Sequence, residues 1–111
     1  MEPNALQGLR ILDFSHVYQG PVGTQLLADH GADVVKVERP GSGDWSRSWG
    51  PFVKGVSLPY ANLNRNKRSI SVNLKSDEGK EIIGRLVKQS DVLVHNFRKG
   101  VMEKLGFGYE R

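Results

Sequence analysis

Three short apolar runs, each passing straight into a polar loop, constrain this chain more than any other feature. Residues 9–14 lead into Ser15-His16-Val17-Tyr18-Gln19-Gly20-Pro21, and residues 33–37 into Glu38-Arg39-Pro40-Gly41-Ser42-Gly43-Asp44. Residues 91–94 lead into His95-Asn96-Phe97-Arg98. Between the first two runs, Gly20-Pro21 reads as a helix start, because proline at the first helical position gives up an amide hydrogen that has no partner anyway. Val22, Leu26 and Leu27 mark an apolar face at helical spacing, and Gly31 supplies the left-handed stop. A strand–helix–strand crossover of this length predicts a parallel pair with the helix packed on the sheet.

The same grammar returns later. Residues 69–74 alternate strictly, as a half-buried strand does. Ser76 caps a helix with Asp77 and Glu78 in its first turn, where the helix dipole favours anions. Ile82, Ile83, Leu86 and Val87 form its expected buried stripe, and Glu81 and Arg85 are spaced to pair. A short helix over 99–105 would carry Val101, Met102 and Leu105 inward. Residues 39–62 break the rhythm with four glycines and three prolines. Their four aromatics, Trp45, Trp49, Phe52 and Tyr60, predict an ordered excursion lying over other protein surface rather than a disordered one. The predicted class is α/β, a Rossmann-like parallel sheet with flanking helices. Four strands are fewer than such a domain uses, so residues 1–111 are expected to be the N-terminal portion of a larger one.

Composition narrows the chemistry by exclusion. The 111 residues contain no cysteine, which rules out disulfides, thiolate nucleophiles and Cys-ligated zinc, and fits a cytoplasmic setting. No apolar run reaches the roughly 18 residues of a membrane span, and Met1-Glu2-Pro3-Asn4 has neither the basic start nor the apolar stretch of a signal peptide. The net charge of +4 is concentrated: residues 36–75 hold eight basic side chains against only Glu38 and Asp44. Such a field draws polyanions, whether nucleic acid, membrane phosphates or a nucleotide.

In open α/β sheets the carboxyl ends of the strands form the ligand crevice. The loop at residues 16–21 opens a helix whose free amides could hold a phosphate, although G-x-G-x-x-G is absent; a capped helix with His16 as a turn residue reads equally well. Arg39 offers a donor fork suited to phosphate, or else shares a solvated rim with Glu38. Lys75, Asn96 and Arg98 follow other strands and would converge on the same edge. The densest basic segment, Asn64-Arg65-Asn66-Lys67-Arg68-Ser69, lacks the interleaved aromatics of a nucleic-acid module and reads mainly as a structured turn. His16, His30 and His95 lack metal-ligand spacing, Asp13 and Asp91 read as hydrogen-bonding groups, and no nucleophile stands out.

The run Gly8-Leu9-Arg10-Ile11-Leu12-Asp13-Phe14-Ser15-His16-Val17, then Gly20-Pro21, then Gln25-Leu26-Leu27-Ala28-Asp29 with Gly31-Ala32-Asp33-Val34-Val35-Lys36-Val37-Glu38, resembles family III CoA-transferases. So do Gly41-Ser42-Gly43-Asp44, Asn64-Arg65-Asn66-Lys67-Arg68-Ser69, Asn96-Phe97-Arg98 and Leu105-Gly106-Phe107-Gly108-Tyr109-Glu110. This carnitine/bile-acid type includes formyl-CoA transferase and α-methylacyl-CoA racemase. The resemblance implies a longer protein whose two subunits interlock, with coenzyme A or acyl-CoA as substrate, a carboxylic acid as acceptor and no tightly bound cofactor. It implies that His16, Val17, Tyr18 and Gln19 contact the CoA, that Arg39 meets its phosphorylated ribose or diphosphate, and that Val72, Asn73, Leu74 and Lys75 border the adenine. Asn96, Phe97 and Arg98 would line the same cleft, with Lys104 as a further basic group. Tyr18-Gln19 and Lys99 depart from the family's usual residues. The catalytic aspartate, which forms an acyl anhydride, would lie outside these residues, so this portion alone is expected to be inactive. The alternatives are an acyl-CoA racemase, a basic nucleic-acid module and a non-catalytic dimerisation piece.

Overall fold

The computed structural model describes residues 5–109. Met1–Asn4, on which the expectation of no signal peptide rests, and Glu110 of the last motif lie outside the described residues. In chain order the elements are β1 (Arg10–Asp13), α1 (Gln19–Asp29), β2 (Asp33–Glu38), a 3-10 turn (Trp45–Ser48), β3 (Phe52–Val53), β4 (Val56–Ser57), α2 (Leu58–Leu63), β5 (Lys67–Ser71), α3 (Asp77–Gln89), β6 (Val92–Val94) and α4 (Val101–Lys104). Four strands form one parallel sheet in the order β5-β2-β1-β6. Taken among themselves in chain order, these strands run third, second, first, fourth, which is the start of a Rossmann sheet. The order reverses at β1, and a crevice at the carboxyl ends is therefore expected between β1 and β6.

Strand alternation splits the two faces. Leu12, Phe14, Val37 and Val72 pack with Ile83 of α3 on one side. Ile11 and Val34, with Ala28 and Ala32, pack under α1 on the other. Sheet bonding reaches past the strand limits, from the Phe14 amide to the Val94 carbonyl at 2.7 Å and from the Val72 amide to the Glu38 carbonyl at 2.9 Å. Gly31 closes α1 at φ 105°, and the Ala32 amide bonds back to Leu27 at 3.1 Å, as a left-handed stop requires. Ser76 accepts from the Gly79 amide at 3.0 Å and starts α3. A Cβ at Gly79 would collide with the Asn73 carbonyl, so this turn tolerates no side chain there.

Several expectations need correction. α1 begins at Gln19, which makes Pro21 its third residue; the proline is tolerated because that amide also lacks an intrahelical partner. Its buried face is Pro21, Thr24, Gln25 and Ala28, while Leu26 is exposed. Ile82 likewise faces solvent, and Ile83 is the buried residue of α3. β5 starts two residues early, at Lys67, and its last predicted residues, 72–74, form the loop beyond it. Residues 39–62 form a 3-10 turn, a β3–β4 hairpin and α2, in which Trp45, Trp49 and Phe52 are exposed.

Candidate functional site

Side chains of β1, β2 and β5 that face α1 change character toward the carboxyl end of the sheet. Below sit Ile11 and Val34; above sit Asp13, Lys36 and Glu38, and Lys67, level with Val34 in register, reaches up to Asp13 with its ammonium. All four are held in an ion network that the sequence reading missed. Asp13 accepts from the Ser15 amide at 2.8 Å, from the Thr24 hydroxyl at 2.6 Å and from Lys67 at 3.2 Å, and is also bonded to the Ser15 hydroxyl. Lys36 pairs with Asp44 at 2.8 Å, both side chains 0% exposed. Arg47 grips Glu38 from Nε at 2.8 Å and from Nη2 at 2.7 Å. Burial of Tyr60 pushes its phenol up to about 12, so it stays a neutral donor to Glu38 at 3.1 Å. Glu38 is therefore a buried acceptor, not the solvated rim charge considered above. Burial drags the Lys67 ammonium below its ordinary value, against the pull of Asp13. The lone charge within Val34-Val35-Lys36-Val37 was the available signal, but its partner sits in a loop that only tertiary structure brings over the strand.

This network anchors the loops above it. Asp44 accepts the Val17 amide through both oxygens, and Asn96 bonds the main chain of His16, accepting at 3.0 Å and donating at 2.8 Å. His16 lies over Phe97 with ring centroids 5.9 Å apart, and burial lowers its imidazole below 6.5 although Asp44 pulls the other way. A Cβ at Gly20 would strike the Ser15 side chain, so the helix start packs tightly against the loop.

Between these loops lies a cleft of about 580 Å³. Its apolar walls come from Phe14, Val37, Trp45, Val72, Leu74, Phe97, Val101 and Leu105. Arg39, Lys75 and Arg98 stand around it, all exposed. Among the described residues no carboxylate lies within ion-pair distance of these three, whereas Arg47, Arg65, Arg68 and Arg85 each have one. The Arg39 Nε donates to the Gly43 carbonyl at 3.3 Å, which leaves its terminal nitrogens for another acceptor.

Ten of the thirteen predicted residues line this cleft: His16, Val17, Arg39, Val72, Asn73, Leu74, Lys75, Asn96, Phe97 and Arg98. Tyr18, Gln19 and Lys104 are exposed outside its lining. Phe14, Val37, Glu38, Trp45, Val101 and Leu105 line it unforeseen. A second cavity, about 790 Å³ and flanked by α3 and α4, contains none of the thirteen. The basic segment is structural: Arg65 pairs with Asp29 at 2.8 Å, Arg68 with Asp33 at 2.7 Å and Lys67 with Asp13. Among the described residues no group of three or more acidic or histidine side chains could hold a metal ion, and no helix is long and apolar enough to cross a membrane.

An apolar slot ringed by three unpaired cations suits a ligand with a flat hydrophobic part and several phosphates. The family model for CoA-transferase family III matches residues 6–111. Formyl-CoA:oxalate CoA-transferases of Bradyrhizobium sp. (strain ORS 278) and Rhodopseudomonas palustris (strain BisB18) are each 53% identical over 108 residues, covering 96% of this chain and 25% of each relative. A CAIB/BAIF family protein from Brucella suis superposes with a TM-score of 0.91 at 39% identity, covering 98% of this chain and 30% of that one. A hypothetical protein from Mycobacterium tuberculosis gives 0.88 at 38%, covering 96% and 29%. The chain thus spans about a quarter of the length of the curated relatives it matches.

Proposed function

Because this chain belongs to CoA-transferase family III, we propose that its cleft holds the nucleotide end of coenzyme A while the rest of the protein moves CoA from an acyl-CoA donor to a carboxylic acid. The observation that carries this reading is the convergence of Arg39, Lys75 and Arg98, unpaired, on an apolar slot where the strand order reverses. Each guanidinium offers a planar fork to phosphate oxygens. The adenine would lie along Val72–Lys75, and the pantetheine arm would leave past His16 and Val17.

Within this scheme an aspartate outside these residues attacks the thioester carbonyl, forming a mixed anhydride and releasing CoA thiolate. The thiolate then attacks the aspartyl carbonyl and expels the donor acid, leaving an aspartyl-CoA thioester. The acceptor carboxylate displaces the thiolate from it to form a second anhydride, and the thiolate attacks the acceptor's carbonyl there, giving the new acyl-CoA and freeing the aspartate, so that one difficult step becomes several easier ones. Residues 1–111 supply no nucleophile. Their part is binding energy remote from the reacting bond, which holds the thioester in register for attack. The relatives reported above are named for formyl-CoA and oxalate, and small acids of this kind are the first acceptors to assay. The exposed apolar row of Trp49, Phe52, Val53, Val56 and Leu58 is assigned to contact with the remainder of an interlocked dimer.

Calorimetric titration of the full-length protein with free CoA tests the reading. Saturable binding that weakens when CoA lacks its 3′-phosphate is expected. No binding, or displacement of CoA from a site that leaves Arg39 and Asn96 unprotected in hydrogen exchange, would overturn it.

A further inference from the structure

Val17 lies in the left-handed region at φ 73°, a conformation that β-branched residues rarely adopt. Such a turn persists only where its surroundings over-determine it, and such turns cluster at ligand clamps. Here the surroundings are specific. The Val17 amide donates to both carboxylate oxygens of Asp44, at 3.1 and 3.2 Å. Asp44 is itself immobilised: it receives Lys36 at 2.8 Å and both the amide and hydroxyl of Ser46 at 2.9 Å. Lys36 then donates to the Ser15 carbonyl at 3.0 Å, two residues before Val17. The loop is thus gripped from below at Ser15 and Val17 by one buried ion pair. Asp44 is fully buried and does not line the cleft, whereas Val17 does.

We propose that Asp44 is a positioning residue: locked by Lys36, it holds Val17 in its left-handed turn and so presets the cleft wall before any ligand arrives. Ordering the wall in advance spares the ligand that entropic cost, which is how rigidity becomes affinity. The consequence for ligand affinity rests on the CoA reading above; the conformational claim does not.

The test uses the full-length protein and two readouts. Hydrogen exchange of the peptide containing residues 15–19 is followed without ligand, and CoA affinity is measured by calorimetry. Asp44→Asn is expected to speed exchange in that peptide roughly tenfold, because the Val17 amide loses a charged acceptor, and to weaken CoA binding roughly tenfold. Glycine takes positive φ without a Cβ penalty. In the Val17→Gly background, Asp44→Asn should therefore weaken CoA binding less than about threefold. Equal losses in both backgrounds would mean that Asp44 serves only general stability, and would overturn the proposal. Should Asp44→Asn fail to fold because Lys36 is left unpaired, Lys36→Gln/Asp44→Asn removes both charges and is measured in its place. If the unsubstituted protein binds no CoA, the ligand reading fails, while the exchange rates still decide the claim about the loop: unchanged exchange overturns it.

Discussion

The side-chain amide of Asn96 clasps the main chain of His16 at two points, accepting from its nitrogen at 3.0 Å and donating to its carbonyl at 2.8 Å. The clasp ties the loop after β1 to the loop after β6, the two strands that flank the reversal of strand order. It therefore sets the spacing of the cleft where α/β ligands bind. Asn96→Asp keeps the acceptor but turns the donor into a second acceptor facing the His16 carbonyl. We expect CoA affinity to fall about tenfold, near 1.4 kcal/mol. Calorimetry checks this, and an unchanged dissociation constant would show that the clasp does not govern the cleft.

Arg39 tests the electrostatic half of the site. Its Nε is engaged by the Gly43 carbonyl at 3.3 Å, which fixes the direction of the guanidinium plane. In the proposed CoA site, Arg39→Ala would remove a charged hydrogen bond to a phosphate, worth about 1.5–3 kcal/mol. The expected loss is roughly tenfold to hundredfold in CoA affinity. Arg39→Lys should recover only part of it, since an ammonium lacks the planar fork. Titration of both variants at one salt concentration decides between these outcomes.

The parallel sheet, its helical crossovers and most of the cleft were legible because strand-end loops carry a local signal. Arg39, Lys75, Asn96 and Arg98 could each be placed by counting from an apolar run. The misreading of α1 has a definite cause. Periodicity assumes that a buried face is apolar, but α1 buries Gln25 and Thr24, whose hydroxyl bonds Asp13 of the sheet at 2.6 Å. Once polar groups occupy the sheet face, a polar helix face satisfies them and Leu26 turns outward. Glu38 was misplaced for the same reason, since Arg47, Tyr60 and Ser69 reach it only after the excursion folds back. The exposure of Trp45 and Trp49 was not legible either, because aromatic content signals burial without naming the surface that would supply it.

Lys36 carries the largest stability consequence. Its ammonium and the Asp44 carboxylate are 2.8 Å apart and wholly excluded from solvent. Lys36→Met leaves Asp44 buried without its counter-charge and strips the Ser15 carbonyl of a donor. Breaking one side of such a pair costs about 3–5 kcal/mol. Adding Asp44→Asn to Lys36→Met should restore part of that, because no unpaired charge then remains. Urea midpoints of the three proteins read the ordering directly; a double variant less stable than Lys36→Met would contradict it.

Glu38 predicts how stability responds to acid. Burial pushes its carboxyl up, but hydrogen bonds from Arg47, Ser69 and the Asp44 amide outweigh burial and hold it at about 2, against an ordinary 4.5. Between those values the unfolded chain binds a proton that the folded one refuses, so folding stability falls as pH drops. The contribution is complete above 4.5 and lost progressively toward 2. Asp44, also held low despite its burial by Lys36 and Ser46, adds a loss of the same sign. His16, lowered from 6.5 by burial, begins a separate decline nearer neutrality. Glu38→Gln removes the first component alone. Urea midpoints taken stepwise from about pH 7 to 3 should start lower for Glu38→Gln, keep the His16 decline and fall less steeply than the parent below 4.5. Parallel curves through that window would mean that the Glu38 carboxylate is not the group whose protonation loosens the fold.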